Sequence, residues 1–153
     1  MKKKIVFIMN PISGTSSKAA VPSLIDSTLD KEQFEYEIKM TERPGHASEL
    51  AAEARDNHAD IVVAVGGDGT VNEVARSLVH SDSALGILPC GSGNGLARHL
   101  LLPMNLKKSI EIINACKIHD LDYGVINEYP FFCTCGMGFD AFVSMKFAES
   151  GKR

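Results

Sequence analysis

Apolar residues cluster in short runs along the first two thirds of the chain, and each run ends among glycine, proline, asparagine or serine. Residues 61–65 are an unbroken β-branched and apolar run, the pattern of a strand buried on both faces, and residues 4–9 read as a second central strand by composition, with Ile5 to Met9 apolar. Residues 34–40 alternate Phe34, Tyr36, Ile38 and Met40 with charged neighbours, which predicts a half-buried strand. Residues 84–88 form a fourth short apolar strand. Between the strands the period changes. A helix is predicted over about 18–29, and a second over 46–57 with Ala47, Leu50, Ala51 and Ala54 inward. Val71, Val74, Ala75 and Leu78 recur at helical spacing in a third. Residues 96–101 read as a short helical turn broken by Pro103, and Asn105 can cap a helix from Leu106 to about Cys116.

The chain is organised around residues 60–78, DIVVAVGGDGTVNEVARSL. A buried strand runs into Gly66-Gly67-Asp68-Gly69, where small residues let backbone approach a ligand closely. Thr70-x-x-Glu73 has the form of a capping box, which predicts that the helix opens at Thr70. Strand, glycine turn and helix N-terminus together aim several N–H groups at one spot, an arrangement that suits phosphate. A carboxylate at Asp68 fits such a loop if it holds a metal, takes a proton or orders the turn. Two further strand exits share this character: Asn10-Pro11-Ile12-Ser13-Gly14-Thr15-Ser16-Ser17 and Pro89-Cys90-Gly91-Ser92-Gly93-Asn94-Gly95. Strands alternating with helices imply an α/β fold, a parallel sheet flanked by helices, whose C-terminal strand ends gather the loops on one edge.

The last part of the chain changes character. Residues 118–126 and 130–135 read as strands joined by a turn at Asn127-Glu128-Tyr129, followed by a glycine turn into an apolar helix around Gly138-Phe139-Asp140-Ala141. The abrupt end after this helix is that of a cut through a larger protein.

Composition narrows the function classes. With 153 residues, 44% apolar and 23% charged, the chain has the make-up of one ordinary globular domain. A net charge of −3 gives no general electrostatic case for nucleic acid. The four cysteines, Cys90, Cys116, Cys133 and Cys135, form no Cys-x-x-Cys pair, and reduced thiols are expected; on a strand Cys133 and Cys135 would share a face and pack as small hydrophobes. The apolar run after Lys2-Lys3-Lys4 is too short for a signal sequence, and no stretch approaches a membrane span.

The ordered set of motifs resembles the diacylglycerol kinase catalytic-domain family, which includes bacterial lipid kinases and sphingosine kinases. Asn10-Pro11-x-Ser13-Gly14, Thr41 with His46-Ala47, Gly66-Gly67-Asp68-Gly69-Thr70-x-Asn72-Glu73 and Pro89-x-Gly91-Ser92-x-Asn94-x-x-Ala97-Arg98 match its elements in order, and Gly138-Phe139-Asp140-Ala141 is similar to a piece near its lipid cleft. The glycine signature alone is shared with NAD kinases and phosphofructokinase-like folds. Ser92-Gly93-Asn94-Gly95 stands where many diacylglycerol kinases have Thr-x-Asn-Asp, and this form is closer to sphingosine kinases.

The resemblance implies an α/β nucleotide-binding domain over 1–102, and over 103–153 a bridging helix with the beginning of a β-rich lipid-binding domain. It implies ATP and Mg²⁺ as cofactors, and a lipid hydroxyl, diacylglycerol or sphingoid, as acceptor. Localisation would be cytoplasmic and peripheral to the membrane during turnover, with a homodimer left open. Asn10, Ser13, Gly14, Thr41, Gly66, Gly67, Asp68, Gly69, Thr70, Asn72 and Ser92 would line the nucleotide site. Asp68 would be catalytic, polarising the acceptor hydroxyl or engaging Mg²⁺, and Asn94 and Asp140 would face the lipid. Plainer readings stand beside these: Thr70 as a helix cap, Asn94 as a tie within its own loop, Asp140 as the N-cap of the last helix, and Lys107-Lys108 as a solvated face. A kinase with a soluble substrate such as NAD, or a non-catalytic nucleotide-binding module, is the alternative. The family's C-terminal catalytic carboxylate and structural metal site would lie beyond Arg153.

Overall fold

The computed structural model describes residues 1–11 and 18–149. Four parallel strands form one sheet: β1 (Lys3–Met9), β2 (Phe34–Met40), β3 (Ile61–Gly66) and β4 (Ala84–Pro89). Their order is β2-β1-β3-β4. β1 and β3 are central, and every residue of Ile61–Gly66 is buried, as the unbroken apolar run requires. The strand β2 lies at one edge with Glu35 and Glu37 exposed, which discourages pairing with another chain.

Alternate strand residues serve opposite faces. Val6, Ile8, Val62, Ala64 and Ile87 pack with Ala47, Ala51 and Ala54 of α2 (His46–Asp56) and with Val71, Val74 and Leu78 of α3 (Asp68–Leu78). Ile5, Phe7, Met9, Val63, Val65 and Leu88 pack with Val21 and Ile25 of α1 (Val21–Thr28) and with Ile110 and Ile113 of α5 (Leu106–Ala115). A short α4 (Gly95–His99) precedes α5, and its Leu96 and Ala97 join the α2–α3 face. The expected α/β sheet flanked by helices is the fold, with helices on both faces.

Local boundaries differ from the sequence pattern at two helix starts. The first helix starts at Val21, not near residue 18, with Pro22 in its first turn, where a missing N–H costs nothing. The third helix opens at Asp68, two residues before Thr70, because Gly67 takes the extended N-cap conformation (φ −93°, ψ −171°). No side chain caps it: Thr70 is buried against Gly66, and Glu73 accepts the Gly45 N–H at 3.2 Å. The capping box therefore does not form. By contrast, Asn105 caps α5 as expected, accepting the Lys108 N–H at 3.1 Å.

The two late strands shrink to a small antiparallel hairpin, β5 (Gly124–Ile126) and β6 (Tyr129–Phe131). Asn127 and Glu128 both have positive φ (46° and 70°), the signature of a two-residue hairpin turn. Pro130 sits opposite Val125 in the middle of this three-residue pairing, and no third strand joins it among the described residues. Cys133 and Cys135 fall outside it and are exposed, so they do not pack as small hydrophobes; all four cysteines are free. The last helix, α6 (Phe139–Glu149), exposes Phe139, Phe142, Val143 and Phe147, and Asp140 is its second residue rather than its cap. Among the described residues, no helix is long and apolar enough to cross a membrane.

Candidate active site

All four strands point their C-terminal ends at one edge. The ladder fixes Met9 opposite both Met40 and Val65, and Gly66 opposite Pro89. It continues one residue into the loops. Thr41 N–H donates to the Met9 carbonyl at 2.9 Å, Asn10 N–H to that of Val65 at 3.2 Å, and Cys90 N–H to that of Gly66 at 2.8 Å. Asn10, Thr41, Gly66 and Cys90 thus form one row, and Gly67, Asp68 and Ser92 follow within two residues of it. The order in which strands are added reverses between β1 and β3, since β1 connects to β2 on one side while β3 lies on the other. A crevice at such a switch point is where open parallel sheets bind ligands. Ser13 and Gly14 lie outside the described residues.

The second and third loops touch backbone to backbone. A Cβ on Gly91 would lie 2.5 Å from the Gly67 Cα, which restricts position 91 to glycine, while a Cβ on Gly67 would make a tight 3.2 Å contact with the Gly91 Cα. Asn94 holds the third loop in shape. Its left-handed backbone (φ 53°, ψ 44°) reverses the chain, its Oδ1 accepts the Gly91 N–H at 2.8 Å, and its Nδ2 donates to the Gly91 carbonyl at 2.7 Å. The amide is buried and both of its ends are used in the loop.

The loops meet at Asp68. This side chain stands at the N-terminus of α3, exposed, and its Oδ1 accepts the backbone N–H of Gly95 at 2.6 Å. Its Oδ2 has no hydrogen-bond partner among the described residues and overlooks Gly93, where a Cβ would lie 2.7 Å away. One oxygen is anchored and the other presented. Arg98 closes the third loop from outside, with Nε donating to the Gly93 carbonyl at 2.9 Å. On the other side, His46 Nδ1 accepts the Glu42 N–H at 3.1 Å and shapes the turn after Thr41, which is itself buried.

Lys18 is a site residue that sequence reasoning missed. It lies outside α1, is only 6% exposed, and its Nζ donates to the Asn10 carbonyl at 2.6 Å. Burial lowers its pKa below the usual lysine range, partly offset by nearby Cys90, whose thiol burial pushes up. The signal was legible: Lys18 is the lone lysine between Lys4 and Lys31, placed directly after a glycine and hydroxyl loop.

The remaining expected residues are placed less closely. Gly69 is exposed in the first turn of α3, and Asn72 is half-buried one turn on. Asp140 is exposed on α6, its carboxylate over the Gly136 backbone, with no hydrogen bond to the strand-end loops among the described residues. Beyond Gly95 an open cavity of about 220 Å³ is lined by Leu96, His99, Asp122, Tyr123, Phe131 and Cys133.

Converging N–H groups, a helix N-terminus and a buried lysine fit the phosphates of a nucleotide. No group of three or more metal-binding side chains occurs among the described residues. A hard cation here would take Asp68 Oδ2, with phosphate and water oxygens completing its shell.

A three-layer α/β fold with glycine-rich loops on the strand ends defines a nucleotide-binding class. The chain belongs to the diacylglycerol kinase catalytic domain family, whose model matches residues 4–126. It is 34% identical over 134 residues to a diacylglycerol kinase of Staphylococcus saprophyticus, covering 86% of this chain and 44% of that protein. A diacylglycerol kinase of Staphylococcus haemolyticus is 33% identical over 134 residues, covering 86% and 40% respectively. The crystal structure of a diacylglycerol kinase from Bacillus anthracis shares the fold, with a TM-score of 0.72, 24% identity, and coverage of 84% of this chain and 48% of that one. The chain thus spans less than half the length of these relatives.

Proposed function

We propose that the chain forms the nucleotide-binding part of an ATP-dependent lipid kinase, which transfers the γ-phosphoryl group to a lipid hydroxyl. The observation that carries this reading is the carboxylate of Asp68, fixed through one oxygen by Gly95 N–H at the point where the loops meet. Phosphoryl transfer asks a protein mainly for positioning and charge neutralisation. Backbone N–H groups of Gly66, Gly67 and Gly69, the α3 N-terminus and Lys18 supply the second, and Asn10, Thr41, Thr70, Asn72 and Ser92 border or brace the cradle; Ser13 and Gly14, outside the described residues, would join them by family resemblance. Asp68 Oδ2 either accepts a hydrogen bond from the acceptor hydroxyl, raising the nucleophilicity of its oxygen, or holds Mg²⁺. The metal, when bound, supplies charge neutralisation at the phosphates.

The acceptor is a diacylglycerol or a sphingoid base. It would approach past Gly95, toward the cavity lined by Leu96 and Phe131, with Asp140 on that side and Asn94 acting through the shape it gives its own loop. Residues 103–153 would then pass from a bridging helix into a β-rich lipid-binding domain. Turnover would take place with the protein peripheral to the cytoplasmic membrane face.

The test is radiolabelled ATP offered with a lipid panel and with NAD to a form that continues past Arg153 to the length of the relatives. Label is expected in the organic phase, and Asp68→Asn is expected to abolish transfer while ATP binding persists. Label on NAD alone would overturn the lipid reading. An unchanged rate in Asp68→Asn would remove Asp68 from the chemistry. The chain ending at Arg153 is expected to bind ATP with little turnover.

A further inference from the structure

The segment between α4 and α5 carries a feature that the nucleotide site does not use. Leu101 is 88% exposed, in left-handed conformation (φ 56°), and Leu100 beside it is exposed as well. The hydrogen bonds show why Leu101 is there. Leu102 N–H donates to the Ala97 carbonyl at 2.9 Å and Leu101 N–H to that of Arg98 at 3.0 Å. This is a Schellman ending, and its left-handed position is normally glycine. A leucine there is strained and presents its whole side chain to water, two costs that packing within the chain does not offset.

Basic residues flank this tip along the chain. Residues 83–110 contain no Asp or Glu, although the chain holds 19 of them, and Arg98, Lys107 and Lys108 in that stretch are all exposed. Carboxylates stand at its borders: Asp122 shares the cavity with His99, Asp68 is tied to Gly95, and Glu111 follows Lys107 and Lys108 by one turn of α5. The tip also belongs to the site: α4 begins at Gly95, whose N–H anchors Asp68, and Met104 Sδ lies 3.8 Å from Asn94 Nδ2.

We infer that Leu100 and Leu101 form an insertion tip that docks the strand-end edge on an anionic lipid surface, with Arg98, Lys107 and Lys108 contacting its head groups. A short apolar projection flanked along the chain by exposed cations matches the two layers of a membrane interface: acyl chains for the leucines, phosphates for the cations. The exposed apolar helix α6 lacks this complementarity, since Asp140 and Glu149 stand on it. The choice of a lipid surface rests on the lipid-kinase reading, and docking places the cavity mouth beside His99 where a lipid could enter without crossing bulk water.

The chain contains no tryptophan, so Leu101→Trp gives a reporter at this one position. With vesicles of phosphatidylglycerol in phosphatidylcholine, its emission is expected to shift to the blue, and the shift to vanish with phosphatidylcholine alone. Leu101→Gly is expected to weaken co-sedimentation of the whole chain with these vesicles about tenfold while the fold is retained. Lys107→Ala with Lys108→Ala is expected to weaken it at least about tenfold, from roughly fivefold per lysine. An unshifted Leu101→Trp emission, absence of binding by the parent chain, or equal binding by Leu101→Gly would each overturn the inference. Phosphoryl transfer to a monomerically dispersed short-chain lipid does not need docking. If transfer survives while docking fails, the kinase reading stands and the tip does not.

Discussion

Asp68 and Gly95, 27 residues apart, share a 2.6 Å hydrogen bond from backbone N–H to carboxylate Oδ1. A carboxylate accepting a backbone N–H loses rotational freedom, and here the bond spends one oxygen while leaving Oδ2 over Gly93. The loop after β4 therefore aims the acid carried on α3. That division of labour leads to contrasting expectations for the neighbouring glycines.

Gly93→Ala places a Cβ 2.7 Å from Asp68 Oδ2, an exposed side-chain atom that can rotate away. Stability should change by less than about 1 kcal/mol. Turnover in the longer form should fall at least about tenfold, because the displaced oxygen no longer meets its target. Gly91→Ala is different: its Cβ meets the Gly67 Cα at 2.5 Å, backbone that cannot yield. It should cost about 1–3 kcal/mol. Urea unfolding alongside kinetics checks both, and a fully active Gly93→Ala would show that the aim of Asp68 is immaterial.

Asn94→Ala loses two buried hydrogen bonds to Gly91 and forces a Cβ-bearing residue without a local polar partner into the left-handed region. The expected cost is about 2–4 kcal/mol. Asn94→Gly keeps the backbone and loses only the amide, so about 1–2 kcal/mol is expected. Equal losses in the two variants would mean that the backbone conformation contributes nothing.

Lys18 and Cys90 make stability depend on pH with opposite signs. Lys18 is lowered from 10.5 by burial, so the folded chain gives up this proton before the unfolded chain does. Between the folded-state pKa and 10.5 the unfolded state binds more protons, and stability rises with pH. The Cys90 thiol is raised from 9.0, so the unfolded chain loses its proton first and stability falls as pH passes 9.0. Lys18→Met removes the rising contribution and keeps the falling one. Its urea midpoint should decline more steeply than the parent's on the way to pH 10.5, and parallel curves would refute the burial of a charged Lys18.

Leu101→Gly should raise the stability of the chain by about 1 kcal/mol, because glycine adopts φ 56° without penalty and no packing is lost from a side chain 88% exposed. In a chain of this size that is a rise in thermal midpoint of about 2–4 °C. A lower midpoint would reveal a packing role for Leu101.

Much of this molecule was legible before its coordinates. The unbroken runs at 61–65 and 5–9 marked central strands, because a strand covered on both faces has no polar side to alternate with. Glycine loops after successive strands marked the edge on which the loops gather, since crossover connections put every strand's C-terminal end on the same side. Asn105 was legible as a cap because its partner lies three residues away. Where the pattern misled, a distant group had outbid a near one. Thr70 is buried against Gly66, and Glu73 bonds Gly45, 28 residues back, so neither caps α3.

The sequence by itself determined the elements, their parallel arrangement and the edge on which the loops gather, because periodicity and turn chemistry act over a few residues. The tertiary structure alone decided that Lys18 is buried against Asn10, that Asp68 is tied through Oδ1, and that Leu101 projects into water. Those outcomes depend on which donors, acceptors and apolar surfaces meet once the sheet has brought remote segments together, and no local pattern encodes that competition.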